Sequence, residues 1–134
     1  MNKMNKKMEY ALMALKLISE RQSGQLTSAK AVSDQMHISF DVTARVLQAL
    51  SSRGLLKAEY GVDGGYSLAR PLNEVSLHDL SEMLEGHTLL TKCLGSDEPC
   101  ETQPTCNITN PIARLNKKVQ EFYKSVSLEE VLYV

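Results

Sequence analysis

All three cysteines of this 134-residue chain lie in one short segment, residues 92–106. Cys93, Cys100 and Cys106 are separated by six and by five residues, and a proline stands in each gap. Thiolates are soft ligands that suit iron–sulfur clusters and zinc. Both kinds of site usually take four ligands, so three thiolates leave one position open. The segment therefore predicts a metal or cluster site.

The number of cysteines argues against a disulfide framework. An odd number of thiols cannot pair completely, and a reducing compartment disfavours disulfides in any case. Three thiols that respond directly to oxidation or persulfidation, with no metal bound, are the alternative to a cluster.

The composition of the chain is that of an ordinary globular protein, either one domain or a small domain with an extension. It is 43% apolar and 23% charged, and no apolar run approaches the roughly 20 residues that cross a bilayer. Glu9, Lys16 and Glu20 interrupt the first apolar stretch, so we expect no signal peptide and a cytoplasmic protein without a membrane partner. Because the net charge is −1, any contact with nucleic acid must come from a local basic face.

The sequence shows no motif of an enzyme or electron carrier. It contains no recognisable nucleophile–base pair, phosphate loop or metal-hydrolase signature. Gly61, Gly64 and Gly65 follow a strand-like run and are typical of a hairpin, not of a phosphate cradle. We therefore expect neither catalysis nor a small-molecule substrate.

Apolar residues at helical spacing predict a first helix over about residues 5–22. Its buried side would carry Met8, Leu12, Leu15 and Ile18. Thr27 or Ser28 suits the N-cap of a short second helix, which would run through Met36.

The third helix is expected to begin after Ser39 and to stop at Gly54. Its buried stripe would consist of Val42, Val46, Ala49 and Leu50. Two strand-like runs then flank residues 62–65, where Asp-Gly signals a tight turn with positive φ, and Pro71 ends the second strand.

A capping box of Ser76 and Asp79 opens a fourth helix, which Gly86 closes. After the cysteine segment, Asn110 and Pro111 read as the N-cap and first residue of a long helix. The apolar stripe of that helix would consist of Ile112, Leu115, Val119, Phe122 and Val126.

Ser127 and Glu130 start a last short turn of helix. The order of elements predicts a mostly α protein with a small β-hairpin wing, a winged helix-turn-helix followed by a long C-terminal dimerisation helix. A lone helix of this length is marginal, so its apolar stripe predicts a homodimer.

The third helix would be a recognition helix for double-stranded DNA. Arg45 can donate two hydrogen bonds to guanine, and Gln48 can pair with adenine. Ser39 and the N-terminus of the helix can bind a phosphate. The face opposite the buried stripe carries Asp41, Ala44, Arg45 and Gln48, and the cations that would contact the flanking backbone are Lys30, Arg53 and Lys57. The alternative is a solvated amphipathic face, but the wing that follows favours DNA.

Several segments resemble the Rrf-type bacterial winged-helix transcriptional regulators, a family typified by iron–sulfur sensors. They are "MEYALMALKLIS", "ISFDVTARVLQALSSRGLL", "GVDGGYSLARP" and "VSLHDLSEMLEG", followed by the three cysteines and "SVSLEEVL". The resemblance covers nearly the whole chain. It implies a DNA-binding domain at residues 1–86, a cluster-binding loop at 87–110 and a dimerisation helix with a C-terminal turn at 111–134.

The resemblance also implies a cofactor. An iron–sulfur cluster, 2Fe–2S or 4Fe–4S, would be held by Cys93, Cys100 and Cys106 near the dimer interface and would control operator binding. Redox state, nitric oxide or iron–sulfur supply would be the signal. Zinc is the alternative metal, and a cluster-free thiol switch the alternative mechanism.

The fourth ligand is open. Family members supply a carboxylate at the start of the first helix, which matches Glu9 here, or a histidine three residues after the third cysteine, where this chain has Thr109. Among the histidines only His87 lies near the cysteines in sequence. The wing departs from the family as well, because Tyr60 occupies the place of a common arginine. We expect Tyr60 to contact DNA.

Overall fold

The computed structural model describes residues 4–22, 24–86 and 105–133. The mostly helical architecture with a two-stranded hairpin is confirmed. The elements, in chain order, are α1 (Lys6–Ser19), α2 (Ala29–Met36), α3 (Phe40–Ser52), β1 (Leu56–Glu59), β2 (Gly65–Leu68), a 3₁₀ turn (Leu72–Glu74), α4 (Leu77–Glu85), α5 (Thr109–Ser125) and α6 (Leu128–Tyr133).

The hydrophobic core lies where α1, α2, α3 and α4 meet. α1 begins after Asn5, whose side-chain oxygen accepts a hydrogen bond from the Met8 N–H at 3.0 Å. The small residues Ala11 and Ala14 are buried in α1, and small side chains allow helices to approach closely. The fully buried large side chains are Leu15, Leu47, Leu50, Leu55, Leu80, Leu128, Val32 and Val75.

The buried stripe of α3 differs from the predicted one. Its buried residues are Thr43, Val46, Leu47 and Leu50, whereas Val42 and Ala49 are only half-buried. α3 packs against α1, α2, β1 and α4, and these several contacts widen its buried side beyond a single stripe. Thr43 fits there because its hydroxyl donates to the Ser39 carbonyl oxygen at 2.6 Å.

The turn between α2 and α3 is closed by His37, which adopts the left-handed conformation with φ 56°. The Ser33 carbonyl oxygen accepts from the His37 N–H and also from the Ile38 N–H, the latter at 3.1 Å, which closes the C-terminal end of α2. Histidine tolerates this conformation better than β-branched residues do. His37 therefore has a structural place in the turn.

The hairpin is confirmed, but its turn differs from the predicted one. Leu56 pairs with Leu68 and Glu59 with Gly65, so residues 60–64 form the loop, and the positive φ falls at Gly61 (120°) rather than at Asp63 or Gly64. A Cβ on Gly64 would collide with the Glu59 carbonyl oxygen. The close approach of the backbone, not positive φ, is what requires glycine at residue 64.

The second strand also pairs with the chain that precedes α2. Tyr66 and Thr27 exchange two backbone hydrogen bonds, of 2.8 and 3.0 Å. A Cβ on Gly65 would lie 2.8 Å from the Thr27 carbonyl carbon. Gly65 thus allows the wing to rest against the start of the helix-turn-helix.

The predicted capping box of α4 is present. The Ser76 hydroxyl accepts from the Asp79 N–H, and an Asp79 carboxylate oxygen accepts from the Ser76 N–H, both at 3.0 Å. α5 begins at Thr109, earlier than Asn110-Pro111 indicated, and its first bond joins the Ile112 N–H to the Ile108 carbonyl oxygen at 2.9 Å. Pro111 is tolerated there because first-turn N–H groups have no intrahelical partner.

The end of α5 returns to the body of the protein. The Leu77 N–H donates to the Val126 carbonyl oxygen and the Leu128 N–H to the Val75 carbonyl oxygen, each at 2.8 Å. Leu128 is completely buried, and the Tyr133 hydroxyl is hydrogen-bonded to that of Ser19 on α1. This short backbone bridge fastens one end of α5 to the start of α4. None of the helices in the described ranges has the length and apolar character that a bilayer span requires.

Candidate nucleic-acid interface and thiol site

α3 presents a continuous polar face to solvent. Asp41, Arg45 and Gln48 are exposed, while Ala44 between them is half-buried. Ser39 is exposed, and its hydroxyl oxygen accepts from the Val42 N–H at 3.3 Å. That cap bond uses an acceptor of the hydroxyl and leaves its O–H to donate, as a phosphate oxygen would require. The structure therefore brings the predicted readers together on one helix.

The three predicted flanking cations come from three different elements. Lys30 lies in the first turn of α2, Arg53 follows the last residue of α3, and Lys57 lies in β1. All three side chains are exposed. Cations spread in this way suit the phosphates on either side of a groove rather than a single anion.

The wing tip has a different character from α3. Tyr60 and Val62 are almost fully exposed, at 95% and 104%. Glu59 and Asp63 flank them and are also exposed. The loop 60–64 contains no cation, so contacts from this tip to DNA would be apolar or hydrogen-bonding.

Phe40 was not among the residues predicted to contact DNA. It is the first residue of α3, and 51% of its surface is exposed. A large aromatic residue directly after the N-cap of the proposed recognition helix was the signal that could have identified it.

Of the three cysteines, the structure describes Cys106; Cys93, Cys100 and His87 lie outside the described ranges. Cys106 is half-buried just before α5. A hydrogen bond from the Thr109 hydroxyl, and then one from the Ile108 N–H, lowers the pKa of the Cys106 thiol. Because these donors favour the charged form, Cys106 is biased toward the thiolate, which is the form that ligates metals and attacks oxidants.

The Thr109 hydroxyl is thus a hydrogen-bond donor to the Cys106 sulfur. It lies three residues after Cys106 and in the first turn of α5. The sequence placed it at the right distance from the cysteine, but only the conformation of the helix start directs its hydroxyl toward the sulfur.

Glu9 lies in the first turn of α1, and its carboxylate is 3.4 Å from the Lys6 ammonium. Nearly half of its side chain is exposed, so the carboxylate is accessible to a second molecule. Within residues 4–22, 24–86 and 105–133, no three His, Cys, Asp or Glu side chains are grouped so as to hold a metal. A complete ligand set would need the cysteines outside those ranges.

His78 is buried on α4, with its Nε2 atom 3.4 Å from a Glu82 carboxylate oxygen. His37 closes the turn before α3. Both positions agree with structural roles.

α5 carries its apolar residues on the outside of the chain. Leu115 is 49% exposed and Phe122 is 62% exposed, and Ile108 before the helix is 54% exposed. Ile112 and Val119 on the same face are half-buried. A stripe of this length and exposure is typical of a surface that a second helix covers.

Comparison with known proteins agrees with this architecture. The sequence matches the Rrf2 family, described as iron-dependent transcriptional regulators, over residues 4–133. A Haemophilus influenzae protein, provisionally named an HTH-type transcriptional regulator, is 27% identical over 130 residues. The match covers 97% of this chain and 86% of that protein.

Two solved structures share the fold. CymR (YrzC), the global cysteine regulator of B. subtilis, superposes with a TM-score of 0.73 at 23% identity, covering 98% of this chain and 97% of CymR. IscR of T. potens superposes with a TM-score of 0.68 at 21% identity, covering 98% of this chain and 86% of IscR. The family match spans nearly all of the described winged helix and α5. The chain is therefore a member of the Rrf2 family of DNA-binding transcriptional regulators and not an enzyme.

Proposed function

We propose that this protein is a homodimeric regulator whose affinity for a DNA operator is controlled by an iron–sulfur cluster. Redox state, nitric oxide or iron–sulfur supply would be the signal. One observation carries the proposal: Cys106, with its lowered thiol pKa, stands directly before the helix that bears the exposed apolar stripe. The thiol and the proposed dimer surface are thus adjacent in the chain.

The homodimer follows from α5. Leu115 and Phe122 are large, apolar and about half exposed, and covering both in an antiparallel pair of helices would bury them. Bringing two chains together also brings two recognition helices together. They would read two half-sites whose centres lie one helical turn of DNA, about 34 Å, apart.

The donor set fits a cluster. Three thiolates suit iron and sulfide chemistry, and Cys106 is biased toward the thiolate. The accessible carboxylate of Glu9 would be the fourth ligand, supplied to the partner's site across the dimer. A bound cluster would supply an iron whose oxygen ligand is readily displaced, as a sensor of nitric oxide or oxidants requires.

The described contacts suggest how the thiols would act on DNA binding. Ligation by Cys106 would fix the chain just before α5, and the last residues of α5 are joined to the start of α4 by the backbone hydrogen bonds of Leu77 and Leu128. α4 in turn packs on α3. A change at the thiols would therefore alter the separation of the two recognition helices. A coupling of about 1–3 kcal/mol changes operator affinity about 5–150-fold.

A thiol switch without a cluster is the second candidate. The lowered pKa of Cys106 favours it equally, since a thiolate is also the reactive form toward oxidants. CymR of B. subtilis, named a global cysteine regulator, has the same fold. Zinc held by the same thiolates is a further alternative and would be colourless.

Anaerobic purification separates these candidates. We expect a brown protein that contains iron and sulfide, and we expect Cys100→Ala to lose both the visible absorption and the iron. Ser52→Ala, an exposed serine on α3, is the matched control and should keep both. A colourless protein with intact thiols would favour the switch, and a colourless one with stoichiometric zinc the zinc site. Colour and iron retained in Cys100→Ala would remove that cysteine from the ligand set.

DNA recognition is tested on its own. Arg45→Ala should lose about 1–3 kcal/mol on a selected operator, because a bidentate contact to guanine would be gone. Lys57→Ala should weaken binding to all sequences alike and lower the salt dependence by about one unit of slope. An unchanged footprint for Arg45→Ala would exclude it as a base reader.

A further inference from the structure

The first turn of α3 combines a polar cap with an exposed aromatic ring. Ser39 caps the helix, and Phe40 follows it with 51% of its surface exposed. A single exposed apolar residue on a protein surface is unremarkable by itself. What distinguishes Phe40 is its position at the N-terminal end of the helix that carries Arg45 and Gln48.

Helical geometry places Phe40 at one edge of the proposed reading face. Because an α-helix turns by about 100° per residue, Ala44 lies about 40° and Gln48 about 80° around α3 from Phe40. Phe40 and Ala44 therefore form one edge of the reading face, and Gln48 lies nearer its centre. In helix-turn-helix proteins the N-terminal residues of the recognition helix contact base edges in the major groove. The ring of Phe40 would therefore enter the groove together with Arg45.

Both side chains of that edge are apolar. Neither Phe40 nor Ala44 offers a side-chain hydrogen bond, and Phe40 cannot bind a phosphate. The major groove displays one apolar group that distinguishes base pairs, the C5-methyl of thymine, and Phe and Ala are among the side chains that contact it.

We propose that Phe40, supported by Ala44, reads a thymine methyl group in each operator half-site. This inference rests on the proposed DNA-binding function of α3. It adds a specificity determinant to the hydrogen bonds assigned to Arg45 and Gln48.

The test uses the full-length protein and removes one methyl group at a time. Operators are first selected from a pool of duplexes with a randomised centre. Each thymine of the selected site is then replaced singly by deoxyuridine, which lacks only the methyl. At one thymine in each half-site the wild type should lose affinity about three- to fivefold, since burying one methyl-sized group is worth about 0.8 kcal/mol.

The variant completes a double-mutant cycle. Phe40→Ala removes the contact in both half-sites, so it should bind the thymine operator about 9- to 25-fold more weakly and should no longer distinguish thymine from uracil at either position. Phe40→Leu, which keeps an apolar side chain, should retain part of the discrimination. Ser52→Ala, at the other end of α3, should discriminate as the wild type does.

The two possible negative results have different meanings. If wild type and Phe40→Ala lose the same affinity with uracil at every position, or if no thymine methyl matters, Phe40 is not a reader, although α3 still binds DNA. If the wild type selects no sequence at all, the proposed DNA-binding function fails and this inference fails with it.

Discussion

The winged-helix body, which consists of α1 to α4 and the hairpin, buries large apolar residues, whereas α5 leaves them at the surface. In the body, Leu15, Leu47, Leu50 and Leu80 have no exposed surface. In α5 the buried residue is Asn116, while Leu115 and Phe122 remain about half exposed. Apolar residues at helical spacing occur in both regions, so spacing alone does not distinguish a core from an interface. The difference supports the proposal that α5 packs against a second chain, whereas the winged-helix body buries its apolar residues within one chain.

The two regions are nevertheless fastened to each other. Two backbone hydrogen bonds join residues 75–77 to residues 126–128, and Leu128 fills the body's core. α5 thus exposes large apolar residues while its last residues are joined to the start of α4. The proposed signal would pass from the thiols along α5 to the recognition helix by this connection.

The largest expected effect is on the body. Leu47→Ala should lower the free energy of unfolding by about 2–5 kcal/mol, because it leaves a cavity at a fully buried site. Urea denaturation measures this loss. The same truncation on α5, Leu115→Ala, should leave the unfolding of the dissociated chain nearly unchanged. Equal losses for both variants would mean that α5 is packed within its own chain.

The next effect concerns association. Phe122→Lys should shift a dimer toward monomer in sedimentation equilibrium and weaken association by about 2–4 kcal/mol, because a central aromatic anchor is replaced by a charge. Ala113→Lys introduces the same charge on the opposite face of α5, where the side chain is exposed, and should leave association intact. A dimer that tolerates Phe122→Lys would place the interface elsewhere.

A smaller effect is expected where the two regions join. Ser76→Ala removes one bond of the capping box of α4, next to the backbone bridge to residue 127. It should cost about 0.5–2 kcal/mol of stability, measured by thermal denaturation. Ser52→Ala removes a hydroxyl that donates to the Ala49 carbonyl oxygen within α3, and it should cost less. If the two variants lose equal stability, the cap is not a determinant of this junction.

The smallest effect is a shift in pH dependence at the start of α5. In metal-free protein with Cys93 and Cys100 replaced by serine, Cys106 should react with iodoacetamide at a lower pH than an ordinary thiol, because hydrogen bonds lower its pKa. Thr109→Val removes the largest of these contributions, so the rate–pH profile should move to higher pH. Thr105→Val, on the other side of the cysteine, serves as the control. Coincident profiles for Thr109→Val and the parent would exclude the hydroxyl's influence.

Much of the architecture could be predicted because it depends on short-range chemistry. The N-caps Ser28, Ser39 and Ser76 all accept the bonds expected of them. Asp63-Gly64 lies in the wing loop, as predicted. The observed loop comprises residues 60–64, and its positive φ falls at Gly61. Arg45 and Gln48 were assigned to the exposed face from periodicity alone, and both are exposed.

What could not be predicted depends on packing between distant segments. Thr43 and Leu47 replace Val42 and Ala49 on the buried side of α3 because several elements surround that helix. Gly65 is required by the Thr27 backbone, which lies far from it in sequence. The return of residues 126–128 to the start of α4 has no local signal.

By itself, the sequence determined the order of helices and wing, the face of α3 that remains polar and the grouping of the thiols. Each of these depends on residues within a few positions of one another, where caps, turns and periodicity act. The tertiary structure alone decided which apolar stripe is core and which stays outside, and that residues 126–128 hydrogen-bond to the start of α4. Burial and hydrogen bonding of this kind depend on how the chain folds back on itself, which spacing does not encode.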